Sequence, residues 1–110
     1  MEIRFPDDKK REFYQSEKQL TRTYGKQMAR KITQRIEQME SFDSVGELLD
    51  SKIGKGHTLE HNYKNCLSLH LTGNYRLISK LIYNDNTDLS KLNFYEIEIV
   101  EIIEVKDYHE

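Results

Sequence analysis

The order of the hydropathy periods predicts an α+β protein, with N-terminal helices packed on a mostly antiparallel sheet. Three observations carry this expectation. Leu20, Tyr24, Met28, Ile32, Ile36 and Met39 recur at helical spacing. From Leu67 the period changes to two, with Leu67, Leu69 and Leu71 alternating with Ser68, His70 and Thr72. Gly73-Asn74 then separates this run from a second strand-like run, Tyr75 to Tyr83, which is the pattern of a hairpin.

The elements follow in order. Glu2 to Phe5 alternates polar and apolar and predicts a short first strand. Pro6, Asp7 and Asp8 suit a helix start, because proline fits a first turn and acids favour the positive helix end. A short helix is expected over "KKREFYQS", with Phe13 and Tyr14 facing inward. One long helix is expected from about Leu20 to Met39, with Arg22, Lys26 and Arg30 in a column opposite the apolar side; Gly25 weakens it near its start. Ser44 and Glu47 have capping-box spacing at the head of a third helix, "SVGELLDSK". Residues 53–65 hold two glycines and no sustained period, so they read as a loop. The hairpin loop has two or three residues. With three, His70 opposes Arg76; with two, Leu71 does. "NDNTD" reads as a turn. Phe94 to Val105 is strand-like, but its phase slips at the adjacent Ile102 and Ile103, which calls for a bulge near Val100–Ile102 or two short strands.

The chain of 110 residues suffices for one compact domain, 1–110. With 33% charged residues, 36% hydrophobic residues and one proline it is a globular rather than a disordered composition. The single Cys66 cannot form an internal disulfide and reads as a small packing residue. No signal peptide or membrane span is legible, so a cytoplasmic location is expected, with no membrane partner. The net charge of −2 is polarised: residues 1–36 carry ten Lys or Arg against five acids, and residues 84–110 carry two against eight. That suggests a basic region for an anionic partner.

No phosphate-binding glycine loop, nucleophile elbow or paired-cysteine metal motif is present. His57 and His61 are four apart, but the neighbouring Gly54 and Gly56 oppose a helix, so no metal site and no cofactor are expected. Arg76, at the start of a rigid strand, has the forked donors that suit a phosphate.

Four segments together resemble the RelE/ParE superfamily of bacterial toxins, in particular its HigB-like branch. They are His57-Thr58-Leu59, Ser68, Gly73-Asn74-Tyr75-Arg76-Leu77 and the terminal Asp107-Tyr108-His109. The match is specific over about 53–83 and at the tail; residues 1–52 match only in layout. The resemblance implies a microbial RNase fold and a toxin of a type II toxin–antitoxin system. Such a toxin enters the ribosomal A site, cuts mRNA and is held inactive by a cognate antitoxin. By position it implies a site of His57, Arg76, Asp107, Tyr108 and His109. Two departures stand out: Glu60 replaces the family's loop lysine and His61 its glycine.

Those residue types fit metal-independent RNA cleavage, which needs a base for the 2′-hydroxyl proton, an acid for the departing 5′-oxygen and positive charge at the phosphate. His57 and His109 are expected to share the proton transfers, and Arg76 to stabilise the phosphate. Asp107 would orient a neighbour, and Tyr108 would bind phosphate or stack on a base. Arg22, Lys26, Arg30 and Lys64 are expected to contact RNA or ribosome. Two alternatives share the fold: a gyrase-inhibiting toxin of the ParE kind, and an inactive interaction module, which Glu60 favours. Whether the toxin acts alone or in a dimeric toxin–antitoxin complex stays open.

Overall fold

The computed structural model describes residues 1–83 and 92–108. The expected "NDNTD" turn and His109 lie outside the described residues.

The chain runs β1 (Glu2–Arg4), α1 (Asp8–Gln15), α2 (Glu17–Tyr24), α3 (Lys26–Ser41), α4 (Val45–Ser51), β2 (His57–Thr58), β3 (Cys66–His70), β4 (Tyr75–Ile82) and β5 (Ile99–Asp107). Short 3-10 turns occupy Ile53–Lys55, His61–Tyr63 and Phe94–Glu96. The five strands form one sheet in the order β1-β5-β4-β3-β2. β1 pairs with β5 in parallel, and the other pairs are antiparallel. This is the expected α+β architecture, helices on a mostly antiparallel sheet.

The helix starts are built as the sequence reads. Asp7 Oδ1 accepts from the Lys10 N–H at 2.7 Å, and Ser16 Oγ accepts from the Gln19 N–H at 3.1 Å. Ser44 Oγ accepts from the Glu47 N–H at 3.3 Å. The return bond from Glu47 goes to the Asp43 N–H at 2.9 Å, one residue before the expected cap.

The expected single helix over Leu20–Met39 is instead two. Gly25 sits between α2 and α3 with φ +88°, in a region that side-chain-bearing residues avoid, so the helical ladder stops there. The apolar spacing survives the break because both helices lay the same stripe on the core. Leu20, Ile32, Met39 and Leu48 meet Leu67, Leu69, Leu77, Val100 and Ile102, all with no exposed surface. Each such aliphatic contributes about 1.5–3 kcal/mol by leaving water.

Three further expectations are corrected. Residues 53–65 do not form a plain loop, because β2 pairs His57 with Ser68 and Thr58 with Leu67. The last strand begins at Ile99 rather than Phe94, since 94–96 form a 3-10 turn capped by Asn93. The strand is also longer at its far end and includes Lys106 and Asp107. Of the two explanations for the phase slip, the bulge is correct. Ile78 faces Glu104 while Ser79 faces Ile102, which leaves Ile103 as the extra residue.

Candidate functional site

The three-residue loop Thr72–Asn74 fixes the register of the hairpin. The Leu71 N–H donates to the Tyr75 carbonyl at 3.0 Å, and the Tyr75 N–H donates to the Thr72 carbonyl at 2.9 Å. Gly73 takes φ +54° at the tip, where its lack of a Cβ removes the strain. Leu71 therefore faces Tyr75, and His70 faces Arg76.

This register decides which residues share a face. Lys106, Arg76 and His70 form one cross-strand row; Glu104, Ile78, Ser68 and His57 form the next on the same face. Leu77, Leu69 and Val105 lie between them and point to the helices. The face away from the helices is thus charged at the hairpin end. Ser68 and Ile78 are buried in the next row, and beyond them Cys66 is buried beside the charged cross-strand pair Lys80 and Glu101.

The 3-10 turn His61–Tyr63 brings Tyr63 onto this open face. The Tyr63 hydroxyl donates to Glu104 Oε1 at 2.5 Å, and the Lys106 ammonium lies 5.3 Å from the centre of its ring. The bond to Glu104 holds the phenol proton above its ordinary range, and contact with the Tyr63 hydroxyl holds the Lys106 ammonium above its own. β5 continues the chain past Asp107 so that the Tyr108 N–H donates to the Asn74 carbonyl at 3.0 Å. The tail is thereby tied to the hairpin loop. The Tyr108 ring sits 6.0 Å from the Arg76 guanidinium and 5.9 Å from Lys106. Arg76 Nη1 donates to the carbonyls of Gly73 and Tyr75 at 3.2 and 3.0 Å.

Of the residues expected in the site, the structure brings Tyr108 to Arg76; Asp107 faces Tyr75 and so alternates to the other side of the sheet from the Arg76–Lys106 pair. His57 stands apart. It is exposed on the edge strand β2, with its Nδ1 hydrogen-bonded to the Lys55 carbonyl at 3.0 Å. β3 lies between β2 and β4, so about 12 Å separates its backbone from that of Arg76, counting two strand spacings and two residues. β1 pairs with β5 only over Ile99–Glu101, so the stretch of β5 that leads into the tail is bonded on one side alone, to β4. Lys64 is exposed beside Tyr63. Lys26 and Arg30 share α3 and line one shallow surface with Gln27, Lys31 and Gln34, while Arg22 belongs to α2, so the column is interrupted at Gly25. These three cations lie on the helical layer, away from the open sheet face.

Sequence reasoning missed Tyr63, Glu104, Lys106 and Arg35. Arg35 Nε donates to the His70 carbonyl at 2.8 Å and clamps the end of β3 to α3; burial lowers its pKa. Lys106 was legible in hindsight as the residue beside Asp107, but Tyr63 lies 41 residues from Glu104 and no local pattern links them. Among the described residues no group of three or more His, Cys, Asp or Glu side chains could hold a metal ion. No helix there is long and apolar enough to cross a membrane.

The arrangement is a five-stranded α+β fold with a cationic, aromatic cluster at the end of one sheet face. Solved structures share that fold over the whole chain. The YoeB-YefM complex from Staphylococcus aureus aligns with a TM-score of 0.57 at 19% identity, covering 100% of this chain and 98% of that one. A heterotetrameric YoeB-YefM toxin-antitoxin complex from the same organism gives the same values. The YoeB/ParE toxin from Agrobacterium tumefaciens aligns with a TM-score of 0.58 at 13% identity, covering 99% of this chain and 100% of that one. No family model and no curated protein sequence matches the chain.

Proposed function

We propose that the chain is the toxin of a type II toxin–antitoxin system, of the RelE/ParE superfamily and HigB-like, and that it cleaves mRNA on the ribosome without a metal. The observation that carries this reading is the tail. β5 delivers Tyr108 to Arg76, and the Tyr108 backbone is bonded to the hairpin loop that also positions Arg76. A phosphate-binding arginine and a phenol on one rigid strand pair suit a phosphodiester at which negative charge develops. The likeness in fold to YoeB toxins solved with YefM supports both the class and an antitoxin partner.

In this mechanism the 2′-hydroxyl attacks the adjacent phosphorus as a base removes its proton. The P–O5′ bond breaks as an acid protonates the leaving oxygen, giving a 2′,3′-cyclic phosphate and a 5′-hydroxyl. Arg76 offsets the charge on the non-bridging oxygens. His109, next in sequence to Tyr108, and His57 are the proton-transfer residues. In this reading His57, on the edge strand, acts from the far side of the bound RNA rather than in direct contact with Arg76. Asp107 orients its neighbours and Tyr108 stacks on a base. Lys64, with Arg22, Lys26 and Arg30 on the helical layer, supplies ribosomal phosphate contacts.

The test is induction in bacteria with mapping of mRNA ends. Wild type is expected to produce new ends within translated regions, and Arg76→Ala and His109→Ala to lower their yield by about a hundredfold each. Growth arrest with altered DNA supercoiling and intact mRNA would instead establish the gyrase-directed reading, which the likeness to a YoeB/ParE toxin also accommodates.

A further inference from the structure

Arg76 has a cross-strand partner, and that partner is a second cation. Lys106 faces Arg76 in the β4–β5 register. Directly opposed side chains on one face start about 5 Å apart at Cβ, and like charges placed there repel. The nearest carboxylate on this face, Glu104, is engaged by the Tyr63 hydroxyl. The ion pairs among the described residues are Arg4–Glu2 and Arg11–Asp8, so neither Arg76 nor Lys106 has a carboxylate within 4.0 Å there. Each cation is nonetheless held in place. Arg76 Nη1 is tied to two loop carbonyls. Lys106 lies against the ring of Tyr63, whose hydroxyl is anchored on Glu104. Tyr108 places its ring within about the same distance of both, 6.0 Å and 5.9 Å.

Two fixed, opposed cations with no carboxylate within 4.0 Å among the described residues form a seat for an anion. The cost of holding them together is met before the ligand arrives, and the seat needs no rearrangement to receive it. The two aromatic rings at its sides match the flat faces of unstacked bases. We propose that Lys106 and Arg76 together grip one phosphate of single-stranded RNA. Tyr63, anchored by Glu104, is the positioning residue that aims Lys106. This deepens the ribonuclease reading and rests on it for the identity of the ligand.

The seat is tested on the full chain in two ways. The first is binding of a single-stranded RNA hexanucleotide across a salt series, together with an NMR titration with inorganic phosphate that follows the Tyr63 and Tyr108 ring signals. Lys106→Met is expected to flatten the slope of log K against log salt by about 0.7, the value of one lost phosphate contact on a single strand. The same change abolishes the phosphate-induced ring shifts, and Lys106→Arg restores both. An unchanged slope with unchanged shifts in Lys106→Met, or a wild type with no ring response to phosphate, overturns the proposal.

The second measurement is mRNA cleavage. Lys106→Met is expected to lose about tenfold to a hundredfold, and Tyr63→Phe about threefold to tenfold, through loss of one charge-assisted contact and of its alignment. In the double variant the Tyr63→Phe effect disappears, because there is no ammonium left to aim. A purely structural Tyr63 would lower Tm and act additively, which counts against its positioning role. If wild type leaves mRNA intact while the salt slope and ring shifts behave as expected, the anion seat stands and the nuclease reading falls.

Discussion

The two faces of β4 and β5 are made from alternate residues of the same strands, yet they serve opposite ends. Toward the helices, Leu77, Leu81, Val100 and Ile102 are at most 3% exposed and touch other aliphatics. On the other side Arg76, Glu104 and Lys106 are half-buried and charged, whereas Ile78, in the middle of the same face, is fully buried. Burial therefore does not separate the faces. What separates them is where charge is tolerated. The open face sets opposite charges across from each other at its far end, Lys80 against Glu101, and two cations, Arg76 and Lys106, at the hairpin end, where the loop, the tail and Tyr63 converge. A face built only for stability would not place Lys106 opposite Arg76.

Adjacent residues make the sharpest test of that contrast. Leu77→Ala empties a fully buried site and is expected to cost about 2–5 kcal/mol, read as a lower urea midpoint at constant slope. Arg76→Ala, one residue away, is expected to stay within about 0.5 kcal/mol of wild type or to gain slightly, because it relieves repulsion by Lys106. On the proposed nuclease reading it should nevertheless lose cleavage. An Arg76→Ala variant as unstable as Leu77→Ala would show that the charged face also supports the fold.

How much of this was legible depended on whether the signal was local. The hairpin and the phase slip were, because period two and a Gly-Asn turn act within a few residues, and the extra residue proved to be Ile103, just past the expected window. The choice between a two- and a three-residue loop was not, since both are compatible with the same alternation until the Leu71–Tyr75 bond is seen. The helix over Leu20–Met39 misled because its stripe continues through the Gly25 break; a tertiary surface preserved the spacing that a continuous helix would also give. β2 has two residues and depends on β3 for its pairing, so its own composition carries no strand signal. Arg76 was singled out by its place on a rigid strand, and Asp107 and Tyr108 by a resemblance in motif, whereas Tyr63 and Glu104 meet only across the fold.

Ser79 offers a smaller test of the helix-side face. It is fully buried opposite Ile102, and its Oγ has no hydrogen-bond partner among the described residues. A hydroxyl left unpaired in such a place costs about 1–3 kcal/mol. Ser79→Ala is expected to raise stability by about 1 kcal/mol, a gain of a few degrees in Tm, without changing cleavage. A loss of stability would mean that this face holds a polar contact among its aliphatics and that the two faces are less distinct than their side chains suggest.

The finest distinction is in how each face treats a phenol. On the open face Tyr63 is shifted upward first by its bond to Glu104. On the helical side Tyr14 is 5% exposed, and burial, with the charges of Tyr24 and Glu104 adding, raises its pKa from 10.0 to about 12. Its neutral form is the one the fold favours. The stabilisation is therefore fully present below pH 10, where folded and unfolded chains both keep the proton. It is lost progressively as pH rises from 10 toward 12, because the unfolded chain releases the proton first. Tyr14→Phe removes this linkage. Between pH 10 and 12 the urea midpoint of wild type should fall more steeply than that of the variant, while below pH 9 the two curves run parallel. Curves that stay parallel to pH 12 would mean that the Tyr14 hydroxyl titrates as it does in water, and the helical layer would then be open to solvent where its aliphatic neighbours are not.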